Sequence, residues 1–501
     1  MRALLIFILS GAVLAEEFPL RMATEARMQL IVPPNGEPLE EVEVSLGSIG
    51  RGSWLENEGQ RDRLADISFP IDWWRWREAS VSFTPASDGM IDLHLTGPWR
   101  ERSPGELFRQ EVLWDKITVE GTSIENGAFG KMDGWESPWR EYPSGSDWPL
   151  AGKQVGASWH GRPLVQKLKV KKGRRVVLSL VARAATIPGF NEPARLPQEG
   201  PAHRMHARMK RGVNLGNCWE ATQGEGTVRF QPRDIDRIAS LGFDHIRVPV
   251  GWHFRIENGE ISKAFLDEME PVLKRALDRN LVVMLDWHSF HELTGDPEGK
   301  RGEFIDGWRQ IAAHFSGWPP ELLFELLNEP SDGLEGELLN EIHAEAIAAI
   351  RESNPQRVIV LNPGSWSSSD MLGALRMPDD DNRIIVSIHC YDPFKFTHQG
   401  ASWVGLEEVN DVKFPGTLPR EFERRFDDAI AWSKYFGRPV HLGEFGAYGS
   451  ADLESRRRYA RAVRSAAESR GIPWCWWEWK AGFGCWDGTK NEPVLIDALI
   501  K

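Results

Sequence analysis

The chain has 501 residues, 41% of them hydrophobic and 27% charged, and a formal net charge of −13. That length exceeds the ~250–300 residues at which a single core stops growing, so two domains are expected. The acidic balance argues against nucleic acid or an anionic membrane surface as a partner and leaves a neutral ligand open. Within the composition, 23 Trp stand against 5 Tyr. Indole offers a broad apolar face that suits a sugar ring or a β-sheet core equally well.

Residues 1–15 read as a secretory signal: Arg2, then an apolar stretch from Leu4 to Val13, then Val13-Leu14-Ala15 before Glu16. The apolar part is too short to span a bilayer, and no later segment is long and apolar enough to do so. An exported protein, extracellular or periplasmic and not integral to a membrane, is the expectation. Export permits disulfides, but Cys218, Cys390, Cys475 and Cys485 do not make a framework in a chain of this size and are expected to be buried small residues.

From 28 to 185 short alternating runs are broken by Gly, Pro, Asp and Ser, as in EEVEVSLGSI, ASVSFTPASDG, MIDLHLTG, VLWDKITVEG and LVQKLKVKKGRRVVLSLVARA. This pattern predicts an all-β sandwich of the jelly-roll kind. Residues 186–203, Pro-rich and without periodicity, read as a linker.

After that the texture changes. Eight apolar runs, RGVNLGN, HIRVPV, LVVMLDWH, LLFELLNEP, RVIVLNPG, IIVSIHCY, PVHLGEFG and PWCWWEW, alternate with helical patterns such as SKAFLDEMEPVLKRALDRN and FERRFDDAIAWSKYFG. Eight strand-then-helix units predict an α/β fold, a (β/α)8 TIM barrel over 204–501, with its chemistry at the carboxyl ends of the strands. Those ends carry Asn217, Arg247, His288, Glu329, His389, Tyr391, Glu444 and Trp477. Two runs stop on a glutamate, Glu329 and Glu444, and two carboxylates in one mouth are what glycosidic bond cleavage requires. The plainer alternative is two unrelated glutamates serving loop hydrogen bonds.

The phrases RGVNLGN, IRVPV, LDWH, NEP, HCYDPFKFTHQGASW, GEFGAY and WCWWEWKAGFGCWD stand in order across nearly the whole second domain. In that order they resemble glycoside hydrolase family five, the retaining cellulase and mannanase barrels, and within it the bacterial endoglucanase branch. The resemblance implies a retaining mechanism on β-glucan polysaccharides, with Glu329 as general acid/base and Glu444 as nucleophile. It implies that Asn328 bonds the sugar 2-hydroxyl, that His288 and His389 hold hydroxyls or orient the carboxylates, and that Trp477 stacks under the same sugar. Arg247 and Tyr391 would keep Glu444 ionised.

Each residue has a plainer reading. Arg247 could be a barrel ion pair with Asp286 or Glu325, the histidines satisfied core groups, and Trp477 core among Trp474, Trp476 and Trp479. Glu325 and Glu478 read as structural. Asp286, His288 and His291 have spacing that could hold a metal, with His389 as a further ligand. Arg247 and two glutamates in one mouth suit a cofactor-free and metal-free sugar site better. Ser289 and the Trp486-Asp487 pair depart from the branch pattern in loops that shape the cleft, which leaves the preferred glucan open. Cellulose is the first expectation, with mannan, mixed-linkage glucan or xyloglucan as alternatives.

In the first domain, ITVEGTSIENGAFGKMDGW and the run from Leu164 to Ala184 resemble carbohydrate-binding jelly rolls in an unusual order, one sandwich with permuted strands or two abbreviated ones. Trp73, Trp74 and Trp76 there are a sugar platform or core. The non-enzymatic alternative is a glycan-binding protein that has lost catalysis. Against it stand Glu329, Glu444, Arg247 and Asn328, none of which is replaced. A monomer is expected.

Overall fold

The structure, a computed structural model, describes residues 20–31, 44–46, 63–85, 87–99, 101–103, 106–107, 109–131, 133–136, 155–186, 196–221, 228–257 and 259–500. The segment read as a signal lies outside them. The chain divides into two compact units, residues 1–190 and 191–501.

The first unit is β-rich. One sheet runs in the order Leu20–Met22, Arg109–Glu120, Val176–Ala184, Arg77–Phe83, Val44–Leu46, with Gly156–Ser158 also on Arg109–Glu120. A second runs Leu164–Val170, Gly89–Thr96, Glu25–Ile31, Arg63–Pro70. All these pairs are antiparallel except Leu20–Met22 on Arg109–Glu111. Each sheet therefore mixes early and late strands. Val176–Ala184 alternates buried and half-buried residues along its length, the signature of one covered face. Of the run EEVEVSLGSI, Val44–Leu46 is strand and the rest lies outside the described residues. Trp73 and Trp114 are buried, Trp76 packs on Leu113, Val155, Ala157 and Ala185, and Trp99 stands exposed.

The second unit is a closed barrel of eight parallel strands: β1 (Arg211–Asn214), β2 (His245–Val250), β3 (Val282–Trp287), β4 (Leu322–Glu325), β5 (Ile359–Leu361), β6 (Ile384–His389), β7 (Val440–Phe445) and β8 (Trp474–Trp476). Strands β2, β3, β6 and β7 are buried at every residue. Helices cover one side and packed side chains fill the other, so the strands read as apolar runs without alternation. The covering helices bury one stripe. In Lys263–Asp278 the buried residues Phe265, Leu266, Met269, Val272, Leu273 and Ala276 recur at helical spacing.

One boundary differs from the sequence reading. The helix Pro201–Arg208 begins inside the stretch read as linker. Its Ala202 and Met205, with Met209, join a core cluster with Val282, Met284, Leu323, Val358, Val360 and Ile385. Those partners lie at the starts of β3 to β6, so the helix plugs the amino end of the barrel. Proline at the first helical position suits this start, while the Pro-rich run before it hides the helix from a composition reading. Of the four cysteines, Cys390, Cys475 and Cys485 are buried and Cys218 is half-buried.

Candidate active site

Arg247, wholly buried on β2, organises the barrel mouth. Its Nε and Nη2 donate to Glu325 at 2.7 and 3.0 Å, and Nη1 donates to Glu444 Oε1 at 2.7 Å and Asn214 Oδ1 at 3.0 Å. Nη2 also donates to Asn328 Oδ1 at 2.7 Å and lies 3.0 Å from Asp286 Oδ2. All five N–H groups of the guanidinium are used. Burial alone would drive a proton off this group, but Asp286, Glu325 and Glu444 outweigh it and hold the guanidinium pKa well above its ordinary value. The plainer reading of Arg247 as an ion pair with Asp286 or Glu325 therefore describes part of its role. The same cation also reaches Glu444 and Asn328.

Glu444 owes its direction to a bulge. Ile388 of β6 pairs with Leu442 and His389 with Glu444, so Gly443 is one residue too many. Bulges beside active sites turn a side chain to a new direction. Only glycine fits there, because a Cβ would run into Ser387 Oγ and come within 2.9 Å of His389 Nε2. Glu444 then meets Arg247 on one oxygen and the Tyr391 hydroxyl, 2.7 Å away, on the other. Burial, then the negative charge of Glu444 and Glu329, raises the Tyr391 pKa well above its ordinary value, so Tyr391 stays a donor.

Glu329 has left-handed backbone, φ 47°, an uncommon conformation for glutamate that the surrounding structure must hold. Its carboxyl is pushed up to about 7, chiefly by burial, with His288, Arg247 and His291 pulling the other way. Oε1 meets His389 Nδ1 at 2.8 Å. Burial lowers the His389 imidazole to about 4, so it is neutral at ordinary pH and carries the proton on one ring nitrogen only. Glu329, His389 and Glu444 each bring one such polar atom within 4.8 Å of the others.

His288 Nδ1 bonds Asp286 Oδ2 at 2.7 Å, and its ring stacks on Trp477 with centroids 5.3 Å apart and planes 8° from parallel. Trp477 is half-buried, while Trp474, Trp476 and Trp479 are fully buried core. Glu478 accepts hydrogen bonds from the backbone N–H groups of Lys480, Ala481 and Phe483, pinning the loop after β8. Its structural reading agrees with these bonds. Glu325 does more, since it holds Arg247 by two bonds.

Arg247, His288, Asn328, Glu329, His389, Tyr391, Glu444 and Trp477 are brought together there, and the backbone N–H of Asn217 meets Glu220 in the loop after β1. The ligand set Asp286, His288 and His291 is not assembled: Asp286 Oδ2 is committed to His288 and Arg247, and His291 is exposed. Among the described residues, two groups bring possible ligand atoms together, Glu329–His389–Glu444 and a buried His245–His441–Cys475 set. In the latter, His245 Nε2 lies 3.0 Å from His441 Nε2, and His245 Nδ1 bonds Asp244. Trp486, in a loop expected to shape the cleft, stacks on Trp479 at 5.4 Å beneath Arg237.

Sequence reasoning missed Asn214, which closes β1 within the run RGVNLGN. It also missed Trp366 and Trp403, exposed by 56% and 59%. The Trp366 N–H donates to the carbonyl of Pro330, next to Glu329. Trp403 packs edge-on to Tyr448 and near Phe483 in the loops after β7 and β8. Exposed indoles beside a paired-carboxylate mouth are a signal for sugar stacking once their place is known.

The sequence model of the family described as Cellulase (glycosyl hydrolase family 5) matches residues 213–482. Endoglucanase H of Acetivibrio thermocellus is 31% identical over 290 residues, which cover 57% of this chain and 31% of that protein. The chain thus spans under a third of that relative's length. Among solved structures, Thermotoga maritima Cel5A in complex with cellobiose is 35% identical with a TM-score of 0.57, covering 59% of this chain and 99% of that one. The same protein with mannotriose is 34% identical at TM-score 0.57, covering 59% and 99%.

Proposed function

Because the chain belongs to the cellulase family, glycosyl hydrolase family 5, we propose that it is a glycosidase acting on β-glucans by double displacement, cleaving internal β-1,4-glucosidic bonds of cellulose or a related glucan. The observation that carries the reading is the pair Glu329 and Glu444, with carboxylate oxygens within 4.8 Å and opposite surroundings. A retaining pair stands ~5–5.5 Å apart and an inverting pair ~6.5–9.5 Å.

Glu444, facing Arg247 and Tyr391, is the nucleophile, because both neighbours favour its negative charge. It attacks the anomeric carbon as the bond to the leaving oxygen breaks, and Glu329, held up at about 7 by burial, gives that oxygen its proton. Glu329, now ionised, takes a proton from water. The water oxygen then displaces Glu444, returns the β configuration and restores both carboxyls. Asn328, with Oδ1 committed to Arg247, has its amide N–H groups for the sugar 2-hydroxyl. Trp477 floors the reacting sugar, and Trp366 and Trp403 offer flat faces to further rings.

The reading includes export through the segment at residues 1–15 and a sandwich-type, glycan-binding role for the first unit. A mannan-active enzyme is the second reading, favoured by the mannotriose complex of the Thermotoga maritima relative. Reducing-sugar release on carboxymethylcellulose, barley glucan, mannan, xylan and laminarin separates these. Turnover on the glucans is expected, and release from mannan alone, or from none, would overturn the choice.

A further inference from the structure

We infer that Asn214 is a positioning residue for the proposed nucleophile, tying the Arg247–Glu444 ion pair to the bulge that aims Glu444. The inference rests on the glycosidase reading above. Asn214 is fully buried at the end of β1, a strand whose neighbouring positions Gly212 and Val213 are also buried. A buried amide is unfavourable there unless its polar atoms are bonded. Both ends are. Oδ1 accepts from Arg247 Nη1 at 3.0 Å, the same nitrogen that bonds Glu444. Nδ2 donates to the carbonyl of Gly443 at 3.0 Å and to that of Trp476 at 3.3 Å.

One side chain therefore fixes the cation that faces Glu444 and the backbone immediately before Glu444. An aliphatic residue of similar shape would remove the bonds to Arg247 Nη1 and to the Gly443 carbonyl. Aspartate would set a further carboxylate against Arg247 and lose the donor to Gly443. Glu444 is otherwise faced by His288 beyond β3, Glu329 beyond β4, His389 and Tyr391 at β6, and Cys475 on β8. Among the described residues, the Asn214 side chain alone hydrogen-bonds both the Arg247 guanidinium and the Gly443 carbonyl.

The test compares the native chain with Asn214→Ala and Asn214→Asp on an aryl β-cellobioside from about pH 4 to about pH 9, with melting temperatures alongside. A loosened nucleophile should cost about 10²-fold in kcat with KM changed less than about threefold. The pH dependence of kcat/KM should change in both variants, and more in Asn214→Asp, where a like charge is set beside the Arg247–Glu444 pair. An unchanged pH profile with kcat within about twofold of native would overturn the inference. So would a lower melting temperature with undiminished activity per folded molecule. If Asn214→Ala does not fold, the isosteric Asn214→Asp carries the test. If neither folds, Asn214 is a folding determinant and the inference falls. A native chain without turnover would overturn the glycosidase reading on which it stands.

Discussion

Glu329 should set the alkaline limb of activity. Burial moves its carboxyl from an ordinary 4.5 up to about 7, and the first chemical step consumes its proton. Activity should therefore fall as pH rises through about 7, by about tenfold for each further pH unit. Replacing it, Glu329→Gln, removes the titrating group. On polymeric glucan the loss should be about 10²–10⁴-fold, the usual worth of a positioned acid. On dinitrophenyl β-cellobioside, whose leaving group needs no proton, the first step should survive and the fall near pH 7 should vanish. Asp286 is also pushed up to about 7, by burial and then by Glu329, against the pull of Arg247. The limb therefore belongs to an interacting set, and Asp286→Asn serves as the control that keeps the Glu329 proton. Reducing-sugar release from polymeric glucan across the pH range measures the limb, and stopped-flow release of dinitrophenol measures the first step without acid help. A native alkaline limb persisting in Glu329→Gln would refute the assignment, as would a native limb centred near 4.5.

Arg247→Met should strand three buried carboxylates, Asp286, Glu325 and Glu444, whose side chains are at most 5% exposed. Breaking a buried pair costs about 3–5 kcal/mol, so calorimetry should show a melting temperature lower by several degrees as well as lost turnover; an unchanged melting point would contradict the buried network. Dialysis against EDTA should leave activity intact, since every proposed role is filled by a side chain; loss restored by a divalent ion would instead implicate Glu329, His389 and Glu444 as ligands. A truncated chain starting at Leu196 should fold and cleave soluble oligosaccharides nearly as well as the full chain. One starting at Arg204 should melt lower, because it discards the first turn of the helix that plugs the barrel; equal melting curves would show that plug to be dispensable.

How much of this was legible in the chain follows from where its determinants lie. HIRVPV is β2 residue for residue, its Ile, Val and Pro filling both covered sides while His245 and Arg247 are held by buried or half-buried partners. The other strands end before their motifs do. After Glu325 the chain leaves the ladder through Leu326 and Leu327, and Glu329 turns with positive φ, so LLFELLNEP is half strand and half active-site turn. Most mouth residues are readable because they sit at or just past the close of an apolar run, whereas Arg247 lies inside β2 rather than at its end. Asn214 is not readable, since its meaning depends on Arg247 and Gly443, which come from strands β2 and β7 and meet it only when the barrel closes. The Gly443 bulge is likewise a property of register between β6 and β7. The helix Pro201–Arg208 was masked by prolines that start helices as readily as they end them. The first unit's pairing of residues 89–96 with 164–170 is set by distant partners, which local alternation does not encode.

In the proposed mechanism Glu444 forms a covalent bond with the sugar. Incubation with a dinitrophenyl glycoside of 2-deoxy-2-fluorocellobiose, which slows both steps but allows the first, followed by intact-mass and peptide mapping, tests it directly. A single glycosyl adduct is expected on the peptide containing Glu444, with the mass returning to native as activity recovers. An adduct on another residue, or a native chain that turns over substrate and releases the α anomer first, would contradict it.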